Sequence, residues 1–134
     1  MTHTKEWYAN WKRPQITHSQ TTKWGWTVYY PEHLTLGKFV DIGWGCFLQA
    51  EAGIVIEDDV EIGGNSLLYS VDTIDGKRGP IILKDWCKIG ASCVILPNVT
   101  VGENSTIGAG TIVTKNIPPS VVVHPEQRLI IRKR

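Results

Sequence analysis

The chain has no apolar run long enough to cross a membrane; nothing in it approaches about 18 consecutive apolar residues. Its first residues, MTHTKEWYANWKRP, contain no apolar stretch of the kind that directs secretion. Both absences lead to the expectation of a cytoplasmic protein. Charge of one sign is also missing. Fourteen Lys and Arg against thirteen Asp and Glu leave a formal net charge of +1, which argues against nucleic acid or a membrane surface as a partner held by bulk charge. Cysteine is scarce. Cys46, Cys87 and Cys93 are odd in number and lack CxxC spacing, so neither a disulfide framework nor a metal site is expected from them. At 134 residues, 42% of them hydrophobic, the chain suits one domain with one core.

What the sequence does have is a period of six. Leu36, Ile42 and Leu48 form one run, Ile56, Ile62 and Leu68 a second, and Leu83, Ile89, Ile95, Val101, Ile107 and Val113 a third. Two extra residues separate the first run from the second, and nine separate the second from the third. Six is neither a helical period nor that of a plain strand. It suits a short strand plus a turn, with three such units closing a triangular coil. The anchor aliphatics then point inward and stack from coil to coil. Four residues after each anchor the side chain is small (Val40, Cys46, Ala52, Val60, Ser66, Cys87, Cys93, Val99, Ser105, Thr111), broken only by Asp72 and Ile117. All three cysteines sit in this column, as small buried hydrophobes. Glycine follows the anchor at positions 37, 43, 63, 90, 102 and 108, which the sequence alone assigns to backbone angles that other residues resist.

The twelve hexads, three to a coil, predict four coils and a wall roughly 19 Å tall. Residues 34–134 form the repeat domain, with a tail from 119. Residues 1–33 have no hexads and hold four of the six tryptophans. These aromatics either cap the open end of the prism, pack at a subunit contact, or stack on a base or sugar of a ligand. Pro118 and Pro119 lack the donor that a further rung needs. The acidic EDDVE, residues 57–61, falls at a hexad corner, where aspartate serves the turn.

The regularity breaks once, at LYSVDTIDGKRGP, residues 68–80. Asp72, Asp75, Lys77 and Arg78 are concentrated in this one excursion, predicted as a loop over 72–82. A loop on a stiff scaffold is a common carrier of function, and thin prisms with flat faces invite association.

The run IGASCVILPNVTVGENSTIGAGTIVTKNIPP, residues 89–119, resembles the C-terminal signature of the hexapeptide-repeat acyltransferases, and the resemblance extends over about residues 34–130. It implies an all-β fold, a left-handed parallel β-helix, in a homotrimer with active sites between neighbouring prisms. It further implies an acyl-CoA donor, acetyl-CoA by default, lying along that cleft with no metal required. Carried over by position, the donor falls on Gly90, Ala91, Ala109, Gly110, Thr114 and Lys115. Arg128 falls on the basic position of the exit segment, where His124 replaces the usual glycine.

The resembling sugar and galactoside acetyltransferases carry a histidine just before the loop, acting as general base on the acceptor hydroxyl. Here that position is Val71. A positioned base is worth about 10²- to 10⁴-fold, so its loss tilts the expected acceptor toward the amine of a nucleotide-linked amino sugar. A neutral amine attacks a thioester without prior deprotonation. Asp72, then Asp75, are the candidate catalytic residues that would hold it. Two alternatives stand beside this reading. One is a non-catalytic scaffold or binding module. The other is transfer to a hydroxyl, with His18 or His33 of the first 33 residues as the base.

Overall fold

The structure is a computed structural model that describes residues 3–134. A six-residue helix, α1 (Lys5–Asn10), precedes a series of two- and three-residue strands. These are β1 (Thr27–Tyr29), β2 (Leu34–Leu36), β3 (Asp41–Ile42), β4 (Phe47–Gln49), β5 (Ile54–Ile56), β6 (Glu61–Ile62) and β7 (Leu67–Tyr69). After the interruption come β8 (Ile81–Leu83), β9 (Lys88–Ile89), β10 (Val94–Ile95), β11 (Thr100–Val101), β12 (Thr106–Ile107), β13 (Ile112–Val113) and β14 (Val122–Val123). All pairings between these strands are parallel and join every third strand, except the last, which joins β12 to β14. Sheet A has the order β1-β4-β7-β10-β13, sheet B β2-β5-β8-β11, and sheet C β3-β6-β9-β12-β14. Three sheets wound in this way form the expected left-handed β-helix, with about five turns.

Register follows the anchors. Leu36, Ile56, Leu83 and Val101 are stacked partners in sheet B. Ile42, Ile62, Ile89 and Ile107 are stacked in sheet C, and Leu48, Leu68, Ile95 and Val113 in sheet A. Every anchor except the partly covered Leu36 is buried. Each fully buried aliphatic contributes about 1.5–3 kcal/mol, so these columns are the core. Cys46, Cys87 and Cys93 are buried free thiols within it. Burial, then the nearby Glu57 and Asp85, push the Cys87 thiol up to about 12, and burial raises Cys46 too. Neither is a nucleophile at neutral pH.

The glycine column has a different cause from the one the sequence suggested. None of the six has a positive φ. The left-handed residue comes two positions later, at Phe39, Gly45, Asp59, Asn65, Trp86, Ser92, Asn98, Asn104 and Gly110. What forces glycine after the anchor is contact between coils. A β-carbon on Gly43 would lie 2.5 Å from the Gly64 nitrogen, and one on Gly90 would lie 2.5 Å from the Ala109 nitrogen.

The prism is also longer than the hexads indicate, at both ends. Thr27–Tyr29, ahead of the first hexad, pairs with β4 and adds a rung to sheet A. Beyond Pro118 and Pro119 the ladder continues, because β14 pairs with β12 on a different face. The prolines halt sheet B alone, where they cover Gly102. Trp26 and Val28 close the base of the core, at 3% and 0% exposed. Trp11 donates from Nε1 to the Val40 carbonyl at 2.9 Å, and Tyr8 packs on Phe39. At the corner between sheets B and C the acidic residues serve the turns. Asp58 Oδ1 accepts from Lys38 N, Asp85 Oδ1 from Asp58 N, and Glu57 Oε1 from Asp85 N.

If contact between coils sets the glycine column, Gly43→Ala lowers stability by about 3 kcal/mol. Gly76→Ala, at a loop residue with φ +75° and open space around it, costs only about 1 kcal/mol. Urea unfolding of the two variants checks the order; equal losses would refute the steric explanation.

Candidate active site

The excursion leaves the prism at the corner between sheets A and B, and its shape follows from its own polar residues. Ser70 is buried at its base; its hydroxyl donates to the Gln49 carbonyl at 2.7 Å and accepts from Ala52 N at 2.9 Å. Val71 and Arg78 form an antiparallel bridge, and Asp72 N donates to the Lys77 carbonyl at 2.8 Å. Asp72 Oδ1 accepts from Ile74 N and Asp75 Oδ1 from Lys77 N, both at 3.0 Å, which are aspartate turns. Gly76 supplies the left-handed residue at the tip. The result is a small hairpin. It ends at Pro80, two residues earlier than expected, because Ile81 is already buried in β8.

This geometry separates the four charged residues. Asp75 uses both oxygens on Lys77, through the backbone N–H and through Nζ at 3.5 Å. Asp72, at the neck of the hairpin and less exposed, commits Oδ1. Of the two it is better placed to hold a ligand. The return arm rests on the next coil, where Asn98 Nδ2 donates to the Arg78 carbonyl at 3.2 Å, directly beside Gly79. Sequence reading missed Asn98. Its signal was position: it lies three residues after an anchor, at a left-handed corner that favours asparagine.

The residues expected to bind the donor fall in two groups. Gly90, Ala91, Ala109 and Gly110 meet at the corner between sheets C and A. Gly90 lies against Ala109, and Gly110 N donates to the Ala91 carbonyl at 2.9 Å. Ala91, Ala109 and Gly110 are exposed, so this corner is bare of bulky side chains. Thr114 and Lys115 lie past β13, exposed on the A/B corner, the same corner as the hairpin. Arg128 is in the tail beyond β14, and its side chain is 82% exposed, 3.8 Å from Glu126. Within one chain, sheet A therefore separates the two groups. Its outer face carries Phe47, Leu67, Val94 and Ile112, the last 64% exposed, with Tyr29 and Tyr69 beside them. The outer face of sheet C carries Asp41, Glu61, Lys88 and Thr106 instead.

The two histidines near the A/B corner differ in tautomer. His18 Nδ1 accepts from Tyr30 N at 2.9 Å, so its proton sits on Nε2. His33 Nδ1 faces the Glu51 carbonyl at 2.8 Å. Only an N–H satisfies a carbonyl, so Nδ1 of His33 carries a proton, and in the neutral ring Nε2 is the acceptor. His33 belongs to the first coil of the same corner that carries the hairpin in the third.

Residues 80–115 match the bacterial transferase hexapeptide family, described as six repeats. The chain is 45% identical over 82 residues to a serine acetyltransferase of Buchnera aphidicola subsp. Schizaphis graminum, covering 60% of this chain and 31% of that one. It is 35% identical over 118 residues to the galactoside O-acetyltransferase of Escherichia coli K12, covering 77% of this chain and 58% of that one. A hexapeptide-repeat acetyltransferase from Vibrio cholerae O1 biovar eltor, solved with acetyl coenzyme A, superposes with a TM-score of 0.71 at 25% identity. That match covers 75% of this chain and 60% of that one. The chain thus spans less than two thirds of the length of these relatives. It is a hexapeptide-repeat protein, with the left-handed β-helix of the acetyltransferases that share the repeat. No helix among the described residues is long and apolar enough to cross a membrane.

If Asn98 pins the hairpin, Asn98→Gly, which keeps the left-handed corner and removes the side chain, speeds tryptic cleavage after Lys77 and Arg78 several-fold. An unchanged rate in timed digests would mean that the Val71–Arg78 bridge alone orders the loop.

Proposed function

We propose that the protein is an acetyl-CoA-dependent acetyltransferase acting on a sugar, at an amine in preference to a hydroxyl. The donor half of this reading is carried by the bare C/A corner. A pantetheine arm needs backbone it can approach without side chains in the way, and Gly90, Ala91, Ala109 and Gly110 provide it along two successive coils. The fold shared with a protein solved with acetyl-CoA supports the same assignment. Backbone N–H groups of that wall are suited to the oxyanion that forms when the thioester is attacked.

The split across sheet A supports a homotrimer. Packing three prisms with their A faces toward a common axis buries the apolar residues Phe47, Leu67, Val94 and Ile112. It also sets the A/B corner of one chain against the C/A corner of the next. The hairpin with Asp72, together with Lys115, then faces the bare corner of a neighbour. In that cleft Lys115 holds a phosphate of the donor and Arg128 follows it from the tail. Asp72 orients the acceptor ammonium, which loses a proton to solvent and attacks the acetyl carbonyl. The tetrahedral intermediate collapses with expulsion of CoA thiolate, and the second proton of the nitrogen passes to that thiolate, giving amide and free CoA thiol. The amine preference rests on Val71: its side chain offers no base at the neck of the hairpin, and the two aspartates beside it shape turns.

A second reading, transfer to a hydroxyl, is favoured by His33. Its Nε2 lone pair, fixed by the Glu51 carbonyl, is the arrangement of a general base, and it lies on the hairpin's own corner. The relative named for galactoside O-acetylation supports this reading as well.

For the donor site, Lys115→Ala weakens acetyl-CoA binding about tenfold, equivalent to about 1.4 kcal/mol. Asp72→Asn leaves that affinity unchanged and lowers kcat at least tenfold with an amino-sugar nucleotide. Calorimetry and a thiol-release assay measure the two; unaltered affinity in the first variant removes Lys115 from the site. To decide between acceptors, His33→Gln is assayed with a simple glycoside. The hydroxyl reading expects a fall in kcat of about 10²-fold. An unchanged kcat, with release of thiol only for amino sugars, selects the amine.

A further inference from the structure

The N-terminal aromatics do more than close the prism. Between α1, the turn at Lys23–Trp26 and the edge strand β3 lies an open cavity of about 530 Å³. Trp7, Trp11, Trp24 and Trp26 line it. The volume falls in the range of small-molecule sites, about 300–1,000 Å³. Trp26 is buried and forms the floor. Trp11 has its indole N–H already bonded to the Val40 carbonyl, so it offers the cavity its ring. Trp7 is stacked on His3 at 3.7 Å, which covers one face. Trp24 is 43% exposed and holds the Lys23 ammonium 4.5 Å from its ring centre. The ring contacts of Trp7 and Trp11 are with His3, Tyr8 and Phe39, none with another of the four indoles. Four of the largest side chains thus surround a space they do not fill.

The rim identifies the ligand. Glu6 and Asp41 share the lining with Lys12, Lys23 and Asn10, and Asp41 Oδ2 also meets His3 Nε2 at 3.2 Å. Two carboxylates against two ammonium groups leave no excess charge. That balance gives neither an anionic nor a cationic ligand a net attraction. A purely apolar ligand would make no use of the five polar groups of the lining. A neutral saccharide satisfies both conditions. The C–H bonds on the face of a pyranose are polarised toward the negative π-face of an indole, while its ring hydroxyls reach carboxylate, amide and ammonium at the rim. We infer that this cavity is a saccharide-binding subsite for a neutral pyranose unit, at the base of the prism. It lies apart from the A/B hairpin and from the upper coils of the C/A corner.

The inference does not depend on acetyl transfer and is tested separately. Tryptophan fluorescence and saturation-transfer NMR are recorded on the full chain with maltotriose, cellotriose and UDP. The expected result is saturable binding of a neutral trisaccharide at millimolar or lower concentration. Trp24→Ala should weaken it at least tenfold, with melting temperature, oligomeric state and acetyl-CoA affinity unchanged. Trp86→Gly, which removes an indole from a different corner, should leave saccharide binding intact. Absence of binding by both trisaccharides at 50-fold higher concentration than the cavity needs (about 50 mM) overturns the proposal. So does equal binding by Trp24→Ala, or UDP competing for the same indoles. A change in oligomeric state on Trp24→Ala would assign the cavity to a second copy of the chain instead. Failure of acetyl-CoA to bind would leave the subsite standing.

Discussion

Backbone meets backbone at the glycines that follow six of the twelve inward aliphatics, and the rest of the molecule depends on that contact. At Gly43, Gly63, Gly90 and Gly102 the next coil lies so near that no β-carbon fits. The close approach keeps the aliphatic columns in register over all three sheets. It also makes the prism stiff, because a coil cannot tilt without collision at several corners at once. A stiff wall can hold a hairpin on one corner and a strip of glycine and alanine on another at fixed separation. Positioning of that kind is what transfer between two bound substrates requires.

The two longest departures from this regularity both carry polar chemistry. The hairpin at 71–79 is built almost wholly from local bonds, with Asp72 and Asp75 as turn residues and Asn98 as its rest. The N-terminal segment is the reverse case. It has little structure of its own beyond one short helix, and it is held by long-range contacts of Trp11, Tyr8 and Arg13 with the first coil. Arg13 Nη1 reaches the Leu36 carbonyl.

The sequence made the coil legible because its signal is periodic: one inward position in six, one small position in six. The ends were hidden for the same reason. Thr27–Tyr29 and Val122–Val123 form strands without a hexad, since a terminal rung is stacked on one side only and needs less exact spacing. The glycine column was visible but misattributed. Its φ values are ordinary, and the left-handed corner is taken by Phe39 and Trp86 as well as by asparagine and serine. Site chemistry was legible in kind but not in arrangement. Periodicity places Gly90 beside Ala109, yet it cannot show that Thr114 and Lys115 turn onto the next corner. Nor can spacing reveal a tautomer: His18 and His33 were equal candidates until one was seen to accept from a backbone N–H and the other to face a carbonyl.

We propose that the stiff, glycine-stacked wall carries a site for a thioester carrier. Thermal unfolding with and without acetyl-CoA tests it most directly. At a ligand concentration about 100 times the dissociation constant, binding to the folded state adds about 2.7 kcal/mol, and the midpoint should rise by roughly 8–10 °C for a domain of this size. An unchanged midpoint at saturating millimolar acetyl-CoA would contradict the account and leave the coil as a scaffold.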